Sequence, residues 1–305
     1  MRGELRCESL TKVYGGSKGK KALDDVSFNL PSSGVFSLIG MNGAGKTTLV
    51  RILATQLQPT SGKASVNGMD VMKDAGKLRD CIACVPQEAR TAPFMTPKQT
   101  VLSYLLWRGL GYGEASSKAV EALGRVGLGD QVDVLSRKLS GGTRRKVLVA
   151  TVLSSDADII FLDEPTTGLD PISRRDLWNL LTSLAKDRFL ILTTHYLEEA
   201  EHLANNIGII HRGKLIGLGT IDQLRATVRF QYSLMLPSNQ TTPTVRDGEV
   251  TVGSAGQTQI LTNEDEAREI SRSLLENGTK FSMSRISLDD IFFRLVHGAS
   301  EEDRS

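Results

Sequence analysis

Residues Gly40-Met-Asn-Gly-Ala-Gly45-Lys46-Thr47 follow the apolar run Val35–Ile39 directly and precede a helix predicted to begin near Thr48. This glycine spacing, closed by a lysine and a hydroxyl, is that of a phosphate-binding loop, and strand-loop-helix is its required context. The glycines let successive backbone N–H groups turn toward one point, making an anion nest at a helix N-terminus. Gly40, Asn42, Gly43, Ala44, Gly45 and Thr48 are therefore predicted to cradle phosphates. Lys46 is predicted to reach the β- and γ-phosphates, and the Thr47 hydroxyl to bind Mg²⁺. The unit implies a parallel sheet flanked by helices.

The rest of the chain agrees. From Leu5 to about Gly219, short apolar strands alternate with helical segments, the pattern of a mostly parallel α/β sheet. Ile159–Leu162 and Phe189–Thr193 are the other strong strand candidates, each followed by polar or glycine-rich residues, where such folds place ligands. Between about Glu88 and Leu139 strand signals stop. Thr96-Pro97-Lys98-Gln99 reads as a capped helix start, with Leu102, Leu105 and Leu106 at helical spacing behind it. A second helix runs through Ala119, Val120, Leu123 and Val126, so a helical lobe, about residues 88–155, is inserted in the α/β domain.

After Gly219 the character changes. Val228, Phe230, Tyr232, Leu234 and Leu236 alternate with other residues, the period-two signal of a strand. Ser238–Pro243 is a turn-rich break, followed by strands near Glu249–Val252, Gln259–Leu261 and Lys280–Arg285. Helices are predicted between Asn263 and Gly278, with Ala267, Ile270 and Leu274 on one face, and from Leu288 to about Val296. The reading is two domains, 1–219 and a small α+β domain at 220–305.

Composition excludes several classes. With 305 residues and 40% hydrophobic content, the chain can bury a large core. A net charge of +2 gives no support to nucleic-acid binding, which needs a concentrated basic face. No stretch approaches the roughly 20 apolar residues of a membrane span, and Met1-Arg2-Gly3-Glu4 opens a polar segment without the apolar core of a secretion signal. Any membrane part is expected from another chain. Three cysteines argue against a disulfide framework. Cys81 and Cys84 form a C-x-x-C, but no second pair completes a zinc site, and residues three apart on a strand face opposite ways.

Two further segments carry chemistry. Ile159-Ile-Phe-Leu-Asp163-Glu164 delivers two adjacent acids to a strand end. Asp163 can hold Mg²⁺ and Glu164 can polarise an attacking water, although two acids at a strand end also serve as a helix cap. Leu139-Ser140-Gly141-Gly142 opens a helical stretch, Thr143–Leu153, and so forms a second candidate phosphate site. One phosphate loop does not need two such sites within one chain. A two-fold dimer, each serine-glycine turn facing the other subunit's nucleotide, accounts for both.

In their order along the chain, the loop Gly40–Thr47, Gln87, the Leu139–Gly142 turn, Asp163-Glu164-Pro165, Gly168-Leu169-Asp170 and His195 closely resemble the ATP-binding-cassette (ABC) ATPases over about residues 5–219. The resemblance implies a P-loop cassette with a RecA-like core, an antiparallel β subdomain and the inserted helical lobe. It implies ATP and Mg²⁺ as ligands, and a homodimer of cassettes. By the same resemblance Tyr14 is the aromatic that stacks on adenine, although a lone tyrosine near a strand end is otherwise core or surface filler. Gln87 is a ligand of Mg²⁺ and of the water. Ser140, Gly141 and Gly142 act in trans, Asp170 crosses the dimer interface, and His195 contacts the γ-phosphate. Catalysis then rests on Glu164, His195 and Gln87, and Mg²⁺ on Thr47, Gln87 and Asp163. Met41 stands where proline is frequent and Thr143 where glutamine is frequent; neither removes a backbone donor or a catalytic side chain. His202 and His211 are read as ordinary polar residues.

A cassette followed by a small α+β domain ending like Ile286-Ser-Leu-Asp-Asp-Ile-Phe-Phe293 resembles the drug-export branch typified by daunorubicin-resistance ATPases. That implies a peripheral subunit on the cytoplasmic face of the membrane, working with separate transmembrane permease chains and without nucleic acid. The alternative, a soluble ABC protein acting on nucleic acid or ribosomes, predicts a long coiled coil or two cassettes. Phe94, Tyr104 and Trp107 are candidates for the permease-docking surface or for the core of the helical lobe.

Overall fold

The structure, a computed structural model, describes residues 4–15, 19–237, 242–252 and 257–302. Met1–Gly3 and Ser238–Thr241 of the turn-rich break lie outside the described residues. The chain forms two compact units, Met1–Ile216 and Gly217–Ser305.

The first unit opens with β1 (Glu4–Tyr14), β2 (Lys20–Pro31), β3 (Val35–Ile39), α1 (Lys46–Leu53), β4 (Ser61–Val66), β5 (Met69–Asp70), α2 (Ala75–Cys81) and β6 (Ile82–Val85). The helices α3 (Pro97–Trp107), α4 (Tyr112–Arg125) and α5 (Gly141–Leu153) follow. Then come β7 (Ile159–Asp163), α6 (Pro171–Leu184), β8 (Phe189–Thr194), α7 (Leu197–Leu203), β9 (Asn206–His211) and β10 (Lys214–Gly219). One sheet, β2-β1-β4-β5, is antiparallel. The other runs β10-β9-β3-β8-β7-β6, and every pairing among β9, β3, β8, β7 and β6 is parallel.

Why β3, β7 and β8 read as unbroken apolar runs is now plain. Every residue in them is buried, as a strand covered on both faces requires. β1 and β2 have one covered face and show near-alternate burial instead. The capping box of α3 is complete: Thr96 Oγ1 accepts from Gln99 N–H while the Gln99 side chain accepts from Thr96 N–H. Val101, Leu105, Ala119, Leu123 and Val147 build the lobe core, continuous with Leu162 and Leu192 of the sheet. Leu106 and Val120, expected on the apolar faces, are exposed instead. Of the three lobe aromatics Tyr104 packs on this core, whereas Phe94 is 75% and Trp107 82% exposed.

The segment Cys81–Val85 is not all strand, because Cys81 ends α2. The cause is a distant residue. The Arg108 guanidinium donates to the Asp80 and Ile82 carbonyls, both at 2.8 Å, and so satisfies groups at the open end of α2. Both cysteines are free, and no metal-binding cluster of His, Cys, Asp or Glu occurs among the described residues.

The second unit comprises α8 (Ile221–Ala226), β11 (Tyr232–Leu236), β12 (Gly248–Val252), β13 (Thr258–Thr262), α9 (Glu264–Glu276), β14 (Ser282–Arg285) and α10 (Leu288–Glu302). Its sheet has the order β12-β13-β11-β14 and is antiparallel throughout. Leu234, Leu236 and Ile260 pack against Ala267, Ile270 and Leu274 of α9, the face read from the sequence. Val228 and Phe230 are buried yet precede the strand, so their period-two spacing extended the predicted strand four residues too far. α10 runs six residues past Val296.

Candidate active site

The loop Gly40–Thr47 joins the C-terminal end of β3 to α1, at the rim of the parallel sheet. Gly43 and Gly45 hold φ of +78° and +119°, a region that side-chain-bearing residues avoid. At Gly45 a Cβ would also lie 2.5 Å from the carbonyl oxygen of Ala22. Ala44 is buried beneath the loop, while Asn42 and Gly43 face outward. Lys46 is itself buried, its ammonium donating to the carbonyls of Gly40 at 2.6 Å and Met41 at 3.2 Å. Burial holds its pKa below the ordinary lysine value, against the attraction of Glu164 and Asp163.

Across the sheet, β7 ends at Asp163. Its carboxylate Oδ1 accepts the Thr193 hydroxyl from β8. The chain then turns sharply, and Glu164 takes φ +51°. Its N–H donates to the carbonyl and hydroxyl oxygens of Thr193, each at 3.1 Å. Its side chain is nearly fully buried and is approached from three sides. Gln87 Nε2 donates to Oε2 at 3.1 Å, Thr167 Oγ1 donates to Oε2 at 3.2 Å, and His195 Nδ1 lies 3.1 Å from Oε1. Three residues from three segments thus converge on one carboxylate.

Tyr14, Asn42, Gly43, Gly45, Lys46, Thr47, Thr48, Gln87 and Glu164 line one cleft of about 230 Å³. Gly40 and Ala44 do not reach its surface. Tyr14 stands at the rim, 42% exposed, with its hydroxyl 3.5 Å from Thr48 Oγ1 and the Lys12 ammonium 5.4 Å from its ring centroid. Thr47, Gln87 and Asp163 share the wall of a smaller cavity of about 30 Å³ beside it. Their hydroxyl, carboxamide and carboxylate groups offer an all-oxygen donor set, which suits Mg²⁺.

The remaining predicted residues lie elsewhere on the same unit. Ser140 is the N-cap of α5: its Oγ accepts from Thr143 N–H at 3.0 Å. Gly142 packs so closely that an added Cβ would sit 3.1 Å from the Gly168 carbonyl oxygen. Asp170 is the exposed N-cap of α6, and hydrogen bonds from Ser173 hold its carboxyl below the usual range. The structure does not bring Ser140, Gly141, Gly142 or Asp170 into the nucleotide cleft of their own chain.

Sequence reading missed Arg145. It is buried on α5, and its guanidinium donates to the carbonyls of Asp163, Glu164 (3.0 Å) and Pro86 (3.4 Å). It thereby ties the helix behind the serine-glycine turn to the backbone of both acids. The signal available was a charged residue at a position of α5 that the apolar spacing assigns to the core. Thr193, read only as a strand end, and Thr167 were also missed.

A P-loop nucleotide cleft at the rim of a parallel sheet, an acid pair on the neighbouring strand and an inserted helical lobe define a cassette-type ATPase. The comparisons with known proteins agree. The ABC transporter family model matches residues 23–167. The daunorubicin/doxorubicin resistance ATP-binding protein DrrA of Streptomyces peucetius is 33% identical over 316 residues, covering 99% of this chain and 94% of its own. DrrA3 of Streptomyces coeruleorubidus, a daunorubicin resistance ATP-binding protein, is 39% identical over 223 residues, 73% of this chain and 70% of that one. A solved ATP-binding subunit of an ABC transporter superposes with a TM-score of 0.64 at 25% identity, covering 73% of this chain and 92% of its own. The chain belongs to the ABC transporter family, as an ATP-binding, ATP-hydrolysing subunit of the DrrA type. No helix among the described residues is long and apolar enough to cross a membrane.

Proposed function

We propose that this subunit powers export through separate membrane-spanning chains, from the cytoplasmic face of the membrane, as a dimer of two cassettes. The name of its relatives supports the drug-export reading. The division of labour proposed is a nucleotide-binding domain over residues 1–219, with the helical lobe at about 88–155, and an accessory α+β domain over 220–305. Exposed Phe94 and Trp107 are suited to the lobe surface that meets the membrane chains.

The observation that carries the reading is the convergence of Gln87, Thr167 and His195 on Glu164 beside the phosphate loop. In this mechanism the Gly40–Thr48 backbone and Lys46 hold the phosphates of ATP and Tyr14 stacks on its adenine. Glu164 orients a water in line with the γ-phosphate and accepts its proton. His195, fixed against Glu164 and stacked on Tyr196 with centroids 4.2 Å apart, donates to the γ-phosphate. Gln87 holds Glu164 and the water in register. Ser140, Gly141 and Gly142 close on the partner subunit's nucleotide and Asp170 crosses the interface, which accounts for their placement outside their own cleft. Thr47, Asp163 and Gln87 would hold Mg²⁺, which when bound neutralises charge on the β- and γ-phosphates. The reaction is driven by positioning and electrostatics.

The test is the mass of Glu164→Gln in solution with and without ATP and Mg²⁺. The expected result is hydrolysis slowed at least ~100-fold, as for loss of a general base, and a long-lived ATP-dependent dimer. Normal turnover by this variant would remove Glu164 from the role.

A further inference from the structure

Gln87 and Glu164 line two cavities at once. One is the nucleotide cleft; the other, about 630 Å³, lies between the segment that leads into α3 and the start of α5. The 3.1 Å hydrogen bond between these two side chains therefore forms part of the partition between the cavities.

The charge on the far side is one-sided. Arg90, Arg137, Arg144 and Arg145 line it, and Glu164 is its single carboxylate, leaving a formal charge of +3. Glu164 is already engaged by Gln87, Thr167 and His195. None of the four guanidiniums has a carboxylate partner among the described residues: Arg145 is turned to backbone carbonyls, and Arg90 reaches the Ala89 carbonyl at 3.3 Å.

Ser136 and Thr91, whose hydroxyls are closed off from solvent, pack behind these walls, so the feature the cavity presents to a ligand is its uncompensated charge. Water would leave that charge unmet. An oxyanion answers it, taking charge-assisted bonds from arginine.

We propose that this cavity receives the inorganic phosphate cleaved from ATP, which passes the Gln87–Glu164 contact on its way out while ADP stays on the phosphate loop. The proposal rests on the roles given above to Gln87 and Glu164. Phosphate is the anion generated on the other side of the partition. The Gln87 part of the partition is an exposed side chain held to Glu164 by one hydrogen bond. The attraction of the arginines then favours movement away from the loop.

The experiment uses the full chain and two measurements. First, ³¹P line broadening reads binding of inorganic phosphate without nucleotide. Lys46→Ala, which disables the phosphate loop, is expected to retain phosphate binding. Adding Arg90→Gln and Arg144→Gln, both partly or fully solvent-facing, is expected to weaken it at least ~10-fold, the loss of a charge-assisted contact. Arg145 is left in place because it braces the backbone. If Lys46→Ala alone abolishes phosphate binding, or the arginine changes leave it as it was, the cavity is no phosphate site. A partner's carboxylate would then be the group these arginines meet.

Second, in Arg90→Gln/Arg144→Gln, quenched-flow cleavage of ATP is expected at the unaltered rate with KM for ATP unchanged. Phosphate release, followed with a fluorescent phosphate reporter, is expected to lag several-fold behind. Release that keeps pace with cleavage overturns the exit role. Failure of wild type to cleave ATP at all would instead strike the proposed mechanism, and the binding measurement still reads the cavity.

Discussion

Arg145→Met isolates a brace that touches neither nucleotide nor membrane. Methionine keeps most of the aliphatic volume, so the loss is of hydrogen bonds rather than packing. The guanidinium donates to the carbonyls of Asp163 and Glu164 and, more weakly, of Pro86. Charge-assisted bonds contribute about 1.5–3 kcal/mol each, so the two short ones amount to roughly 3–6 kcal/mol. Removing a buried cation recovers part of this, because burial already holds the Arg145 pKa below its ordinary value, opposed by Asp163 and Glu164 and aided by Arg90. The net expected loss is about 2–4 kcal/mol. For a folded unit of this size, Met1–Ile216, that is a fall in Tm of about 5–12 °C. Activity should suffer separately. Glu164 sits at φ +51°, a conformation that costs about 1–3 kcal/mol and persists only while its surroundings impose it. With the brace gone, kcat should drop at least ~10-fold while KM for ATP changes little, since Arg145 does not line the nucleotide cleft. Calorimetry and steady-state hydrolysis read both effects, and Arg145→Lys should recover only part, lacking the planar fork. A methionine variant that melts within about 2 °C of wild type and hydrolyses ATP normally would refute the brace.

Lys46→Ala should weaken ATP binding roughly 10- to 100-fold, and unchanged affinity by titration would withdraw the phosphate-loop assignment. Gly45→Ala should abolish nucleotide binding and lower Tm, because its Cβ would meet the Ala22 carbonyl oxygen at 2.5 Å and φ +119° excludes a side chain; wild-type ATP affinity would contradict this. Glu199 is buried, with Oε1 accepting from Trp178 Nε1 at 3.1 Å and Oε2 unpaired. Burial raises its pKa, against the neighbouring Thr194 and Thr166 hydroxyls, the Trp178 hydrogen bond and the charge of Arg174. The folded chain thus keeps this proton to a higher pH than the unfolded one. Its contribution to stability is full in acid, falls as pH rises through the raised pKa, and is flat above. Glu199→Gln should remove that slope and melt higher at neutral pH; a melting profile parallel to wild type would show that Glu199 does not titrate.

Local chemistry made much of this protein legible before any coordinates. The glycine spacing at Gly40–Thr47, the apolar runs of β3, β7 and β8 and the capping box at Thr96 are short-range patterns, and each formed where its spacing placed it. The family order of motifs then suggested that Gln87, Glu164 and His195 act together. Their separation of 77 residues between Gln87 and Glu164 is bridged only by the fold.

What a linear pattern leaves open is anything set by a distant partner. With Arg108 bonded across its end, α2 takes the first residue of the segment Cys81–Val85 from the strand, and burial in the second unit extends past the paired part of β11 to Val228 and Phe230. Arg145 looks like one more basic residue in Thr143-Arg-Arg-Lys; its spacing to Val149 and Val152 turns it inward, but nothing local reports which carbonyls it meets there. The sequence by itself determined the elements, the phosphate loop and the acids at the strand end, since these follow from spacing and backbone freedom within a few residues. Tertiary structure alone decided that Glu164 is gripped from three sides, that Arg145 braces it, and that Gln87 and Glu164 divide a nucleotide cleft from a basic cavity, because each depends on packing between residues far apart in the chain.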